Sequence, residues 1–264
     1  MISYQNNLYI CIYNSCINIL FLIMKTNLHT ADSRGNANHG WLQSHHTFSF
    51  AGYQHPERHH FGVLRVLNDD TVAGGMGFGT HPHRDMEIVS IPLEGDLKHL
   101  DNTGTEALIK NGDIQVMSAG SGIEHSEYNA NKDKTVKFLQ IWIIPKVKGV
   151  TPRYQQITLD PTQSANKLQQ ILSPNPNDQG VWIHQDAWFH LGSLEKGTKL
   201  KYRLKDPKNN GVYAFVIQGS LEVAGTLLSH RDGLGITEAN EFDIKAFEDS
   251  EILLMEVPLG LPRL

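Results

Sequence analysis

Leu93-Glu94-Gly95-Asp96-Leu97 and Ile217-Gln218-Gly219-Ser220-Leu221 are one phrase written twice, once in each half of the chain. Each copy ends an apolar run and puts a glycine where a strand must turn sharply into its hairpin partner. A second turn with Gly and Asp follows both, as Asn111-Gly112-Asp113 and as Asp232-Gly233. Such a repeat predicts one β unit duplicated, two double-stranded barrels in a single chain.

The surrounding sequence agrees. From Phe61 onward, short apolar runs alternate with Gly, Asn, Asp and Pro, and helical periodicity is nearly absent, which is how an all-β sandwich or barrel reads. Strands are expected at Phe61–Leu67, Met86–Leu93, Ala107–Lys110, Asp113–Met117, Val136–Ile144, Val212–Ile217, Ser220–Val223 and Glu251–Val257. Between the halves, Pro152, Pro161, Pro174 and Pro176 lie among many Asn and Gln, as in a connecting segment. The expected division is therefore a first barrel over 25–150, a connector over 151–180 and a second barrel over 181–264. Residues 1–24 stand apart because they contain no Lys, Arg, Asp or Glu. Their longest apolar stretch, from Ile17 to Met24, is broken by Asn18 and falls short of a membrane span, and no basic region precedes it. They are read as a non-native or disordered extension upstream of a natural start at Met24. The expected location is the cytoplasm, with no membrane association.

Composition narrows the chemistry. A chain of 264 residues with a net charge of -5 has no basic field for nucleic acid, and none of its Lys or Arg form a run. Both cysteines, Cys11 and Cys16, lie in the N-terminal segment, so any metal held later must be held by nitrogen and oxygen.

The run Gly79-Thr80-His81-Pro82-His83-Arg84-Asp85-Met86-Glu87 offers such donors. On an extended backbone, residues i and i+2 share a face, so His81 and His83 point together, with Pro82 stiffening the backbone between them. The later run Ser118-Ala119-Gly120-Ser121-Gly122-Ile123-Glu124-His125-Ser126-Glu127 repeats the spacing with His125 and Glu127. Two such pairs on neighbouring strands place three imidazoles and a carboxylate around one ion and leave coordination positions open for substrate or dioxygen. Iron(II) is the first choice, but manganese, nickel, cobalt, copper and zinc accept the same donors. Glu87 is the rival carboxylate: a fifth ligand, a base behind the ligands, or a plain strand residue. Most of the fourteen histidines lack a partner at this spacing, among them His45, His46, His184, His190 and His230, and stay unassigned.

At these residues the sequence resembles the cupin superfamily and, within it, the pirins. Gly75, His81, His83, Glu87 and Gly95 follow the first cupin motif with one longer spacing, and Gly112, Gly120, His125 and Asn129 follow the second. Ser118 stands where Pro is usual, and two extra residues separate Gly120 from His125; pirins share both departures. The likeness also covers Asn36-Ala37-Asn38-His39-Gly40-Trp41, Ile141-Trp142-Ile143-Ile144-Pro145 and Thr151-Pro152-Arg153-Tyr154, and so nearly everything after Met24.

The resemblance implies a bicupin of two jelly-roll barrels. The first would hold iron through His81, His83, His125 and Glu127, and the second would have lost its ligands, in keeping with the absence of His-x-His before Gly219. It also implies a quercetin 2,3-dioxygenase, which opens the central ring of a flavonol with O2 and releases carbon monoxide. In that reaction a carboxylate takes the proton of the 3-hydroxyl, with Glu127 the first candidate and Glu87 the second. Phe48, Phe50, Phe78, Phe138 and Trp142 are candidate walls for a flat aromatic substrate. The alternative is a non-enzymatic iron protein acting as a redox-sensitive partner of transcription or metabolic proteins. A third option is a non-oxidative cupin such as a sugar isomerase. A monomer is the default for two barrels that cover each other.

Overall fold

The computed structural model describes residues 8–12, 15–19 and 24–262. Apart from two single-turn 3-10 segments, Ala31–Ser33 and Pro161–Gln163, every regular element described is a strand. Each half builds one seven-stranded and one four-stranded sheet. In the first half the large sheet runs, in spatial order, Arg153–Thr158, Asp113–Ser118, Glu87–Glu94, Val136–Ile143, Leu64–Val72, Leu42–His46 and Gly35–Asn38. The small one runs Glu106–Lys110, Asp96–Asp101, Ile123–Asn129, Gly77–His83. The second half repeats this arrangement around the neighbouring strands Ser250–Pro258 and Asn210–Gln218. The chain is thus all-β, two jelly-roll barrels joined back to back.

The repeated glycines make the repeated turns. Gly95 and Gly219 have φ of 75° and 83°, in the left-handed region that penalises side chains. A Cβ on Gly95 would lie 2.8 Å from the Thr135 carbonyl oxygen, and one on Gly219 2.5 Å from that of Asp249. In both barrels the turn presses on the backbone just before the neighbouring strand, Val136–Ile143 in one and Ser250–Pro258 in the other.

Pleat alternation sorts the large sheet's residues between two destinations. Val89, Ile91, Val116, Leu139 and Ile141 face outward and pack in one buried cluster with Phe189, Tyr213, Phe215, Leu253 and Met255 of the second half. This layer, with each large side chain worth roughly 2 kcal/mol of burial, holds the barrels together. The alternate residues point into the barrels. The second barrel's interior is filled by Val212, Ala214, Val216, Leu234, Ile252 and Leu254. The first has apolar clusters at its two ends, around Leu97 and Phe138 and around Met117 and Ile123, with polar residues between them.

Strand membership differs from the expected division at three places. Lys25–His29 adds an edge strand to the second barrel by pairing with Gly233–Thr237, although it was expected in the first. Arg153–Thr158, expected in the connector, extends the first barrel's sheet beside Asp113–Ser118, and Gln169–Ser173 joins the second barrel beside Trp188–Leu194. Lys25–His29 is an edge strand whose side chains, His29 apart, stay in solvent, and Arg153–Thr158 is an edge strand of half-buried, mostly polar side chains, so neither sequence carries an apolar alternation; His29 is bonded to the Tyr213 hydroxyl at 2.9 Å. The strand expected to stop at Leu67 runs on through Asn68-Asp69-Asp70 to Val72, because these turn-like residues face a cavity or an ion pair. Of residues 1–24, Leu8–Ile12 and Ser15–Ile19 pair with each other, and the expectation of a disordered extension otherwise lies outside the described residues. No helix among the described residues is long and apolar enough to cross a membrane.

Candidate metal centre

The strand Gly77–His83 lies antiparallel to Ile123–Asn129 on the small sheet of the first barrel, with His81 directly opposite His125 and His83 opposite Ile123. The i, i+2 spacing turns His81 and His83 to one side while Pro82 faces solvent. His81, His83 and His125 each offer a ring nitrogen, and these nitrogens lie within 4.8 Å of one another. The ring centroids are 4.5 Å apart for His81 and His125 and 4.9 Å for each of the other two pairs.

Hydrogen bonds prepare the rings for a cation. His81 Nδ1 lies 2.7 Å from the Gly79 carbonyl oxygen, to which it donates, leaving Nε2 bare. His125 Nδ1 is 3.4 Å from His99 Nδ1, and His99 Nε2 is 2.9 Å from Asp101 Oδ2. Asp101 Oδ1 in turn accepts from the backbone N–H of Thr103 and of Thr105 and from the Thr103 hydroxyl. Such a chain favours His99 protonated on Nε2 and His125 on Nδ1, with His125 Nε2 free. That atom is buried and has no hydrogen-bond partner, which a bound ion explains. Burial, reinforced by the neighbouring histidines, lowers His125 to about 2, and burial with His81 lowers His83 to about 4. Both rings are therefore neutral near pH 7 and carry the lone pairs a divalent transition metal needs.

Glu127 does not join this group. A bulge between His125 and Glu127 shifts the register, and Glu127 lies opposite Phe78. Its carboxylate reaches across to the large sheet, accepting from Ser90 Oγ at 3.2 Å and Gln140 Nε2 at 2.7 Å. Burial raises it from 4.5 to about 7, against the opposing effect of those two donors.

Two of the three histidines, His81 and His83, line a cavity of about 470 Å³ together with Glu127. This is the size of a small-molecule site. Its apolar wall is a chain of edge-to-face contacts from His83 to Trp142 at 4.9 Å, Trp142 to Phe50 at 5.4 Å and Phe50 to His46 at 5.2 Å. Trp41 and Phe78 form another wall, 5.5 Å apart. Of the expected aromatic residues, Phe50, Phe78 and Trp142 line the cavity. Phe48 instead packs on Tyr213 between the barrels, and Phe138 belongs to the apolar cluster at one end of the first barrel.

Glu87 needs a correction, since it is turned away from the cavity. Its carboxylate accepts from Ser118 Oγ at 2.6 Å and lies 3.0 Å from His184 Nδ1, contributed by the second half. Counting by twos from His81 puts Glu87 on the histidine face, but Asp85, with φ of 48°, breaks the strand, and the chain passes there from the small sheet to the large one. Glu87 falls with Val89 and Ile91 on the side that faces the second barrel. Arg153 adds a further contact at this seam, donating to the Trp182 carbonyl at 2.7 Å with its guanidinium 3.9 Å from the indole centroid. His184, left unassigned by the sequence, thus closes a hydrogen-bonded contact between the barrels.

Sequence reasoning did not pick out His99, Asp101, Asn68, Asp70 or Gln140. For His99 and Asp101 a signal existed, because they repeat the i, i+2 spacing on the strand Asp96–Asp101, beside His125.

Comparison with known proteins agrees with this architecture. Residues 27–143 match the family described as Pirin, and residues 170–257 match the quercetinase C-terminal cupin domain. A quercetin 2,3-dioxygenase of Escherichia coli K12 is 42% identical over 231 residues, which span 88% of this chain and 98% of that protein. A pirin-like protein of Caulobacter vibrioides is 39% identical over 226 residues, 85% of this chain and 96% of its own. The crystal structure of YhhW from Escherichia coli superposes with a TM-score of 0.85 at 40% identity, covering 91% of this chain and all of that one. The structure of bacterial pirin YhhW in complex with nickel(II) gives a TM-score of 0.84 at 40% identity, over 89% of this chain and 99% of that one. Because the match runs through both barrels and nearly the full length of these relatives, the chain belongs to the pirin family.

Proposed function

We propose that the first barrel is the active site of a metal-dependent dioxygenase that opens a flavonol-type ring with O2 and releases carbon monoxide. The observation that carries this reading is the junction of three convergent imidazoles with an aromatic-walled cavity and a buried carboxylate. The relatives named quercetin 2,3-dioxygenase support it.

His81, His83 and His125 would hold the ion, and Glu127, outside that group and bonded to Ser90 and Gln140, lines the cavity beside it. Three nitrogens with positions left for oxygen donors suit iron(II), the proposed native metal, and equally nickel(II), the ion in the relative's complex. When bound, it supplies Lewis-acid activation of the substrate's hydroxyl oxygen.

The chain's own side chains do the rest. Trp142, Phe50, Phe78 and Trp41 hold a flat ring and exclude water. Glu127, in its ionised form, takes the proton of the flavonol 3-hydroxyl. Its value of about 7 suits a base that must accept a proton and release it near neutral pH. The hydrogen bonds from Ser90 and Gln140 keep the carboxylate aimed from the strand Ile123–Asn129 into the cavity.

The test is turnover. Protein loaded separately with iron(II), nickel(II), manganese(II) or cobalt(II) is given quercetin and oxygen, and flavonol absorbance and carbon monoxide are followed. Turnover with at least one metal, lost in His81→Ala, is the expected result. Absence of carbon monoxide with every metal refutes the dioxygenase reading. Metal-dependent turnover of another substrate without oxygen uptake would instead make this a non-oxidative enzyme.

A further inference from the structure

The large sheet of the first barrel carries a polar patch for which neither packing nor the metal accounts. His46 lies opposite Asn68, and Ser44 opposite Asp70, on the paired strands Leu42–His46 and Leu64–Val72. Side chains opposite one another in an antiparallel pair share a face, and all four line the cavity that holds His81 and His83. His46, Asn68 and Asp70 are at most 3% exposed, yet His46 Nδ1, Asn68 Oδ1 and Asp70 Oδ1 have no hydrogen-bond partner. Unpaired polar atoms are costly inside a protein and concentrate where a ligand completes them. The second barrel also buries polar side chains among its apolar ones, but there the Glu256 carboxylate is paired, accepting from the Tyr202 hydroxyl, from Asn210 Nδ2 and from the backbone N–H of Lys205 and Asp206.

The aromatic wall relates this patch to the metal site. From His83 it passes through Trp142 and Phe50 and ends on His46, with centroids about 5 Å apart at each step. A flat molecule lying along it meets the metal-site histidines at one end and the patch at the other. Two of the unpaired atoms are acceptors, and His46 Nδ1 can act as either partner. Such a set calls for hydroxyl donors on the ligand.

We propose that His46, Asn68 and Asp70 read hydroxyl groups on the part of the substrate remote from the metal-binding oxygen. The site would then select a polyhydroxylated aromatic over its deoxy analogue. The inference rests on the flavonol reading above and adds to it the residues that set specificity.

The test compares quercetin with galangin, the same flavonol without the two hydroxyls on its pendant ring. Dissociation constants are measured for nickel-loaded protein under argon by quenching of tryptophan fluorescence. Wild type should bind quercetin about fivefold or more tightly than galangin, the scale of one or two net hydrogen bonds. Asn68→Ala and Asp70→Ala should each weaken quercetin toward the galangin value and move galangin by less than about twofold. Metal content and melting temperature of both variants are measured alongside, and the comparison of the two ligands on wild type needs no variant. Equal affinity of wild type for both ligands overturns the proposal while leaving the flavonol reading intact, and so does an equal loss for both in the variants. If neither flavonol binds wild type, the flavonol reading fails and this proposal falls with it.

Discussion

Replacing Glu127 by Gln removes a buried charge while keeping the side chain's shape and both neighbours, Ser90 and Gln140. Without metal, burial raises this carboxyl from 4.5 to about 7. Folding therefore favours its protonated form. The resulting stabilisation is fully present below the unfolded value of 4.5 and is lost as pH rises toward the folded value of about 7. A gap of roughly two and a half pH units, at about 1.4 kcal/mol each, makes the ionised carboxylate a burden on the order of 3 kcal/mol above neutrality. Glu127→Gln has no such dependence. Stripped of metal, it should match wild type near pH 4.5, gain on it as pH rises, and hold an advantage on the order of 3 kcal/mol at about pH 8. For a chain of this size that is roughly 6–12 °C in melting temperature. Thermal unfolding by circular dichroism with chelator present, at about pH 5 and about pH 8, makes the comparison. The same difference at both pH values, or a less stable variant at the higher one, refutes the reasoning. Loaded with metal, the same variant should lose flavonol turnover by about 100-fold or more, since an amide cannot take the proton.

Three other outcomes follow from the same contacts. Asp101→Asn and His99→Gln should each weaken metal binding about 10- to 100-fold by releasing the ring of His125; chelator competition measures this, and unchanged affinity removes these residues from the site. Glu87→Ala should cost roughly 2–3 kcal/mol by leaving Ser118 and His184 unpaired between the barrels. Urea titration reads the loss, and metal content should not change; a variant that folds normally but cannot hold metal would return Glu87 to the site. Gly95→Val, forced into a φ of 75° against the Thr135 carbonyl, should destabilise by about 2 kcal/mol or more, and a neutral result in the same titration would mean that the turn rearranges freely.

Much of this arrangement was written in local spacing. The duplicated phrase around Gly95 and Gly219 announced two barrels because both turns have the same geometric need, a left-handed residue without a Cβ. His81, His83 and His125 could be paired from sequence because a strand's period is short and rigid. Features that depend on tertiary partners were hidden. Glu87 kept the histidines' parity on paper, and only the bend at Asp85 sends it to the other face. Asn68 and Asp70 read as turn residues because polar groups on a strand resemble a loop until a cavity is known to lie beneath them. Arg153–Thr158 read as part of a connector, and Lys25–His29 drew no strand reading, because neither edge strand carries an apolar alternation. His99 and Asp101 show the i, i+2 spacing on their own strand, but they matter through contact with His125, which only the pairing of the two strands reveals.

The central claim is a single ion held by His81, His83 and His125 in the first barrel. Elemental analysis of protein purified without added metal, wild type beside His125→Ala, tests it most directly. The account predicts one equivalent of transition metal per chain in wild type and essentially none in the variant, with circular dichroism unchanged. Undiminished metal in a folded His125→Ala protein, or a second equivalent that survives loss of His81, His83 and His125 together, would contradict it.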